Sequence, residues 1–445
     1  MTDNRGLRNN LMIEKKYIYW ASLAICAVLY FVWPTIHTIA LRKVLLLSGA
    51  ALAVYIWIKS SERKTILNSP WLTYSGLLFA WVILHAAFIS QNGAEAWREF
   101  LGQWVPPYIA MIAGIGCALA SRQISPRTFR FYLLAMLSAQ AIFYVFYTLI
   151  KSVQTGQLAM GYTNWGITDH KMSLTFYADL LAAVACAKII EAVKSGRPVS
   201  KIYPWLLLIA LALYVAFFAD SLNGFILVGG SLMLTAIVIV YMLRKKIPVG
   251  AFVAASLLAV LALYMLGKSS YMDAKWKNLA SNTRIAVNID TYANWTNFVK
   301  IDMPNNEQGV RVSESYYLRV AYATAGVRTI MEHPLGYGVT RHAFERLIQQ
   351  KYPDAYIANS HNAYIDLVSA VGFPALLLLA LMVIAVFRQL NSSSSEWAKP
   401  AMWMTGVIMA HWMLDPISRD HYFETFMFLI GLFATLTLAT KSDHA

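Results

Sequence analysis

Two stretches of the chain put reactive side chains beside apolar runs. In ANSHNAYIDLVSAVG, Ala358 to Gly372, His361 and Asn362 stand at the lip of a segment that is almost wholly apolar as far as Phe387. Upstream, RVAYATAGVRTIMEHPLGYGV opens with Arg319. If a helix begins near His361, with Ser360 or Asn359 as the expected cap, its unsatisfied amides carry partial positive charge and disfavour an imidazolium. His361 is therefore expected to be neutral and able to accept a proton. Cationic residues gathered at the same lip would suit a reaction that deprotonates a nucleophile and expels an anion, because guanidinium stays charged and pairs bidentately with phosphate oxygens. A histidine that merely anchors at lipid headgroups is the alternative these residues leave open.

The elements that position these groups are read from hydropathy. Of 445 residues, 58% are hydrophobic and only 13% charged, against about a quarter charged in soluble chains. Apolar stretches of about 20 residues recur, each long enough to cross a ~30 Å hydrocarbon core as a helix. They are continuous rather than alternating, so helices rather than a barrel are expected. The expected class is an all-α polytopic membrane protein. A formal charge of +14 is then read as basic loops facing anionic headgroups of membrane lipids, with no nucleic-acid partner implied. Cys26, Cys117 and Cys186 lie inside apolar runs and read as small core hydrophobes. The first apolar run follows the basic MTDNRGLRNNLMIEKKYIYW and lacks a small-residue cleavage site, so it reads as a retained span.

About twelve spans are expected, at Tyr17–Trp33, Thr38–Ile58, Trp71–Ser90, Trp104–Ala120, Phe131–Ile150, Ser173–Ile190, Pro204–Phe218, Asn223–Leu243, Pro248–Leu266, Ala363–Phe387, Ala401–Leu414 and Tyr422–Ala439. Alternate connections are basic, such as Lys59, Arg63 and Lys64, or Arg122, Arg127 and Arg130. The positive-inside rule then puts both termini in the cytoplasm and the long polar segment after the ninth span outside. This divides the chain into a membrane domain over 1–266, an outer loop domain over 267–360, and a second membrane part over 361–445. A loop of that length without structure would be unusual, and this one has helical pattern. Ser313 can cap a helix running to Glu332, stopped by Pro334, Gly336 and Gly338. RHAFERLIQQK puts Phe344, Leu347 and Ile348 on one face, suited either to the membrane surface or to packing within the loop.

The arginine that opens the loop helix, the proline–small–glycine–x–glycine turn of HPLGYG and the SHNAYIDLV start of a membrane helix together resemble the signature of the O-antigen ligase and polymerase superfamily. Twelve or so spans with one large loop between the ninth and tenth resemble its ligase (WaaL) type. The motifs cover Arg319 to Leu367, whereas the topological likeness covers the chain. The resemblance implies a GT-C-like membrane glycosyltransferase with a helical periplasmic loop. It would be metal-independent, with no cofactor, moving O-antigen from an undecaprenyl pyrophosphate donor to a sugar hydroxyl of lipid A–core. By motif position His361 matches the family's essential histidine, Arg319 its loop-helix arginine, and Asp415 in HWMLDP an acidic position near the end of the eleventh span. Relatives usually carry serine–arginine–glycine at the start of the eighth span, where ADSLNGF has Asn223. Arg284, Lys171, Arg42 and Lys43 are the candidates to supply the missing cation.

Such a reaction breaks an anomeric C–O bond and gathers negative charge on the leaving phosphate, whose stabilisation is usually the largest catalytic contribution. Arg319, with Arg284, is assigned there, and His361 takes the acceptor proton; direct attack predicts inversion. Asn362 and Tyr364 flank the base, and Tyr364, three residues on, orients the ring or stacks on sugar unless it only packs the core. Asp415 needs a partner near a membrane boundary, with Arg319 and His411 as candidates. Trp276, Trp295, Tyr316 and Tyr317 are available for sugar stacking or interfacial anchoring. Three readings compete with the ligase: an O-antigen polymerase, a protein O-oligosaccharyltransferase, and a lipid-linked sugar transporter. The last predicts helices broken near the midplane, whereas the spans here read as largely uninterrupted.

Overall fold

A computed structural model describes residues 4–35, 37–160, 168, 171–243, 279–307, 309–357, 359–417 and 421–438. The ninth expected span, Pro248–Leu266, and Trp276 in the loop lie outside the described residues. Within them the fold is helical, and the two-residue bridge between Asn305 and Arg311 is its only extended pairing.

The first ten helices are α1 (Asn4–Val32), α2 (Ile39–Lys59), α3 (Arg63–Leu67), α4 (Pro70–Phe88), α5 (Gly93–Glu99), α6 (Val105–Ser121), α7 (Pro126–Thr155), α8 (Lys171–Lys194), α9 (Tyr203–Phe218) and α10 (Leu222–Leu243). A π-helical turn, Phe100–Trp104, joins α5 to α6. The next described helices are α11 (Leu279–Val287), α12 (Glu314–Glu332), α13 (Ala343–Lys351), α14 (Ala363–Ser392), α15 (Ala398–His411) and α16 (Tyr422–Leu436). The eleven expected spans within the described residues each fall on one of these helices. Six described segments are long and apolar enough to cross a membrane unaided: α2, α4, Gly93–Ser121, α7, α10 and α14. Shorter apolar helices are Lys16–Val32, α9 and α16. This is the architecture of a multi-pass membrane protein.

Amino-acid type explains where the helices sit. In α2 the buried positions are Leu46, Gly49, Ala53 and Ile56, the three- and four-residue spacing of one inward stripe, while Val44, Leu47 and Ile58 stay exposed as a lipid-facing surface would. Helix α8 differs: from Met172 to Ile189 its side chains are buried on every side. It runs through the middle of the bundle between α7, α9, α10 and α15, and carries Asp179 inside. The three cysteines are free and buried.

One end of the bundle is laced by charges: Arg122 pairs with Glu62, Arg130 with Glu396 at 2.7 Å, and Lys188 donates to the Glu396 carbonyl at 2.7 Å. The opposite end is covered by the described part of 279–360. That segment has a core of its own, including Ile285, Trp295, Tyr317, Tyr322, Phe344 and Ile348, with Ile365 of α14 reaching into it. The amphipathic face of α13 is consumed here, since Phe344, Leu347 and Ile348 are all buried. Packing within the loop, rather than the membrane surface, is where this helix goes.

The HPLGYG turn is seated against a break in α14. Gly372 takes φ 78°, ψ 174°, and Pro374, with no N–H, follows. Carbonyls freed above the break accept from the turn: Tyr337 N–H donates to Ser369 O at 2.7 Å and Gly338 N–H to Ala370 O at 3.0 Å. Phe373 N–H returns the bond to Pro334 O at 2.9 Å. Gly336, at φ 78°, lies so close that an added Cβ would sit 2.8 Å from Val368 O. From α4, Trp81 Nε1 donates to Val371 O at 2.8 Å, and a ring nitrogen of His85 meets Leu335 O at 2.7 Å. The expectation of uninterrupted spans fails here. Glycine followed two residues later by proline can open a helix, but only when other groups take the freed carbonyls; the HPLGYG turn and Trp81 supply those groups.

Candidate functional site

Ser313 precedes α12 and Glu332 ends it, as expected from the sequence. Arg319, Tyr322 and Gly326 fall at i, i+3 and i+7, on one stripe. The stripe faces the start of α14. An alanine Cβ at Gly326 would lie 2.5 Å from Ile365 Cγ2, so the absent side chain is what lets the two helices approach. One turn earlier, Tyr322 lies parallel to the His361 ring, with 8° between planes and 6.2 Å between centroids. A further turn back, Arg319 Nη1 donates to Asn223 Oδ1 at 3.1 Å. Arg319 and the tyrosine that stacks on His361 are thereby held on neighbouring turns of one helix face.

His361 does not lie in α14. Its φ is +55°, a left-handed conformation uncommon for non-glycine residues. The helix is capped by Asn362, whose Oδ1 accepts from Tyr364 N–H at 3.0 Å and Ile365 N–H at 3.2 Å. Ser360 and Asn359, the expected caps, instead fold the approach: Asn359 Oδ1 accepts from His361 N–H at 3.1 Å and Ser360 Oγ from Asn362 N–H at 3.1 Å. His361 therefore sits one residue before the cap, on a tight loop and partly exposed. It does not share a helical face with Tyr364, which turns away to donate to Met409 O at 2.7 Å and lies edge-on to Trp412. That is the core-packing outcome. Asp366 braces the loop, its Oδ1 accepting from Ser360 N–H at 2.9 Å; a carboxylate in a first turn is also favoured by the helix dipole.

Two tyrosines of α12 have phenols held protonated by their surroundings. Burial first, and then the negative charge of Glu314 on the same helix, push the Tyr322 phenol well above its usual range, so it stays protonated. Tyr317, pushed up to about 12 by burial, lies deeper in the loop core. It donates to Tyr292 O at 2.9 Å.

Beneath the site lies a second polar group. Asp415, fully buried, accepts from Tyr422 Oη at 3.2 Å. The Tyr422 ring lies edge-on to His411 at 5.1 Å, and His411 Nδ1 stands 3.5 Å from Asp179 Oδ2 on α8. Arg319 lies within electrostatic range of His411. The carboxylate that approaches His411 is thus that of Asp179, which the sequence reading had not singled out.

The other expected cations distribute unevenly. Lys171, at the head of α8, donates to Asp220 O at 2.8 Å. The sulfur of its neighbour Met172 is 3.6 Å from Asn223 Nδ2. Arg42 donates to Trp33 O at 2.8 Å within the α1–α2 connection. Arg284 is 74% exposed and paired with Glu307 at 2.7 Å. Asn223, where the resemblance led to the expectation of an arginine, accepts from Arg319 and so holds the loop arginine at the head of α10. Among the aromatics, Tyr316 bonds Thr283, whereas Trp295 and Tyr317 are core residues with no open stacking face. Tyr322 was missed by the sequence reading, although its place three residues after Arg319 is the signal that could have found it. Asp366 was passed over because it reads as one charge inside an apolar run.

No curated protein matches the chain. Residues 207–380 match the family described as O-antigen ligase. The matched segment runs from within α9 to within α14 and contains Asn223, Arg319, Tyr322, His361 and Asp366. Over this segment the chain is similar to the O-antigen ligase family.

Proposed function

We propose that this protein is an O-antigen ligase of the bacterial inner membrane, with its site on the periplasmic side. It transfers O-antigen polysaccharide from undecaprenyl pyrophosphate to a sugar hydroxyl of lipid A–core. The observation that carries the reading is the single face of α12 that sets Arg319 one turn from the tyrosine stacked on His361, inside the segment that matches the family.

The chemistry follows from those two groups. His361 takes the proton of the acceptor hydroxyl as its oxygen attacks the anomeric carbon. The bond to the pyrophosphate oxygen breaks, and Arg319 receives the negative charge that builds there. The new glycosidic bond forms opposite the leaving group, with inversion. The proton leaves His361 for solvent or for the released pyrophosphate. Lys171 and Arg42, at the heads of α8 and α2, add positive charge for the anionic donor, and Arg284 offers a further contact from the loop surface. Asn362 and Asp366 fix the backbone on either side of the base, and Asp415 and Tyr364 hold α15 and α16 beneath it.

The test is lipopolysaccharide profiling of a deletion strain complemented with wild type or His361→Ala, with lipid-linked glycans extracted in parallel. The expected result is core without O-antigen, polymer accumulated on the lipid carrier, and rescue by wild type only. His361→Ala should lower transfer ~10²- to 10⁴-fold, the usual contribution of a general base. Core bearing a single repeat would instead make the protein a polymerase. Unchanged lipopolysaccharide would overturn both and favour a protein acceptor or a transport role.

A further inference from the structure

A cleft partly open to solvent lies against the first turns of α14. Its walls come from several separate parts of the chain. Glu99, Gln103 and Trp104 belong to the end of α5 and the π-turn, Asp366 to the first turn of α14, and Phe423 and Glu424 to the start of α16. The charge here is opposite to that around Arg319. Three carboxylates line the cleft, with Arg341 the one cation among its described lining residues. Carboxylates only accept hydrogen bonds, and Gln103 both donates and accepts. Such walls disfavour a pyrophosphate and suit a neutral ligand rich in hydroxyl donors. Trp104 and Phe423 pack edge to face at 5.4 Å and give the cleft an apolar side, as the alternating polar and apolar faces of a sugar require. Glu424 is fixed by His421 Nδ1 at 2.8 Å, and Asp366 by Ser360 N–H, so two of the three carboxylates are pre-oriented.

We propose that this cleft binds the acceptor saccharide. The inference rests on the glycosyltransferase reading and adds to it a place for the second substrate. Asp366 connects the two sites, since the same side chain lines the cleft and holds the residue before His361. A saccharide seated there lies along the first turns of the helix that His361 precedes. The donor's anionic group stays on the arginine side, and the two substrates are sorted by charge.

The experiment uses purified full-length protein in two assays. Binding is measured with deacylated core oligosaccharide from the source bacterium. Transfer is measured with lipid-linked O-antigen and lipid A–core, each titrated in turn. Glu99→Gln and Gln103→Ala are tested because both residues line the cleft from α5 and the π-turn, elements other than those that carry Arg319 and His361. Each removes a group that would bond a sugar hydroxyl and should weaken oligosaccharide binding and raise the acceptor KM about ten-fold. The donor KM, and kcat at saturating acceptor, should stay at wild-type values. If both variants bind oligosaccharide and turn over as wild type does, the cleft assignment fails while the ligase reading stands. A rise in donor KM alone would assign the cleft to the donor glycan and also overturn the proposal. If wild type binds the oligosaccharide and Glu99→Gln does not, yet nothing is transferred, the saccharide site stands and the ligase reading fails. Absence of both binding and transfer in wild type overturns both.

Discussion

Replacing Gly336 with alanine tests how the loop is fixed to α14. Two costs add. A left-handed φ of 78° costs an L side chain roughly 1–2 kcal/mol. The new Cβ would also meet Val368 O and the Ala370 carbonyl at 2.8–2.9 Å; these are backbone atoms that cannot rotate aside, and overpacking of this kind costs about 1–3 kcal/mol. The sum, about 2–5 kcal/mol, falls on the local seating of the turn. Hydrogen exchange reads it directly. The amides of Tyr337, Gly338 and Phe373, bonded across the break, should exchange roughly 30- to several thousand-fold faster. Gly309→Ala is the control: its φ is 71° but no atom lies within 4 Å of the added Cβ. It should cost only the backbone part and leave those three amides unchanged. Exchange at Tyr337 and Gly338 altered less than about five-fold by Gly336→Ala would refute the reasoning, because the turn would then not be seated as described.

Three further outcomes follow from the site. Gly326→Ala should separate α12 from α14 and lower transfer, with about 1–3 kcal/mol lost in stability; Ile365→Ala, which removes the opposing methyls, should recover part of it in a double-mutant cycle. Tyr322→Phe should keep wild-type transfer because the ring that stacks on His361 remains. Tyr322→Leu should lower transfer by up to roughly ten-fold, since such ring pairs contribute about 0.5–1.5 kcal/mol. Asp179→Leu and His411→Phe should each lower the unfolding temperature in detergent, and the double variant by less than their sum, with a coupling of about 0.5–3 kcal/mol; strict additivity would show that the 3.5 Å approach contributes nothing.

The spans were legible because lipid leaves a chain few options: a run such as α14 must be helical if its backbone is to be satisfied. The α12 boundaries were legible from Ser313 and the breakers after Glu332. Arg319 and His361 stood out by motif. What the sequence did not carry was pairing between distant elements. Asn223 looked like a missing cation; only the hydrogen bond across from α12 to α10 shows it holding Arg319. Asp179 is one charge in an apolar run, and only the central place of α8 in the bundle brings it to His411. The break at Gly372 was hidden because its compensation lies at Leu335–Gly338 and at Trp81. The capping of α14 by Asn362 rather than Ser360 is a choice among three adjacent polar residues, each able to cap.

The clasp between Leu335 and His85 joins residues 250 positions apart, and this bears on how the protein is made. A ribosome that has delivered the chain through α13 has produced Arg319 but neither His361 nor the broken helix on which the turn rests. The remaining lock, Ala363 N–H to Trp412 O at 2.8 Å, waits for α15. Until α14 emerges, the growing chain holds the arginine proposed for the leaving phosphate without the histidine proposed as its base.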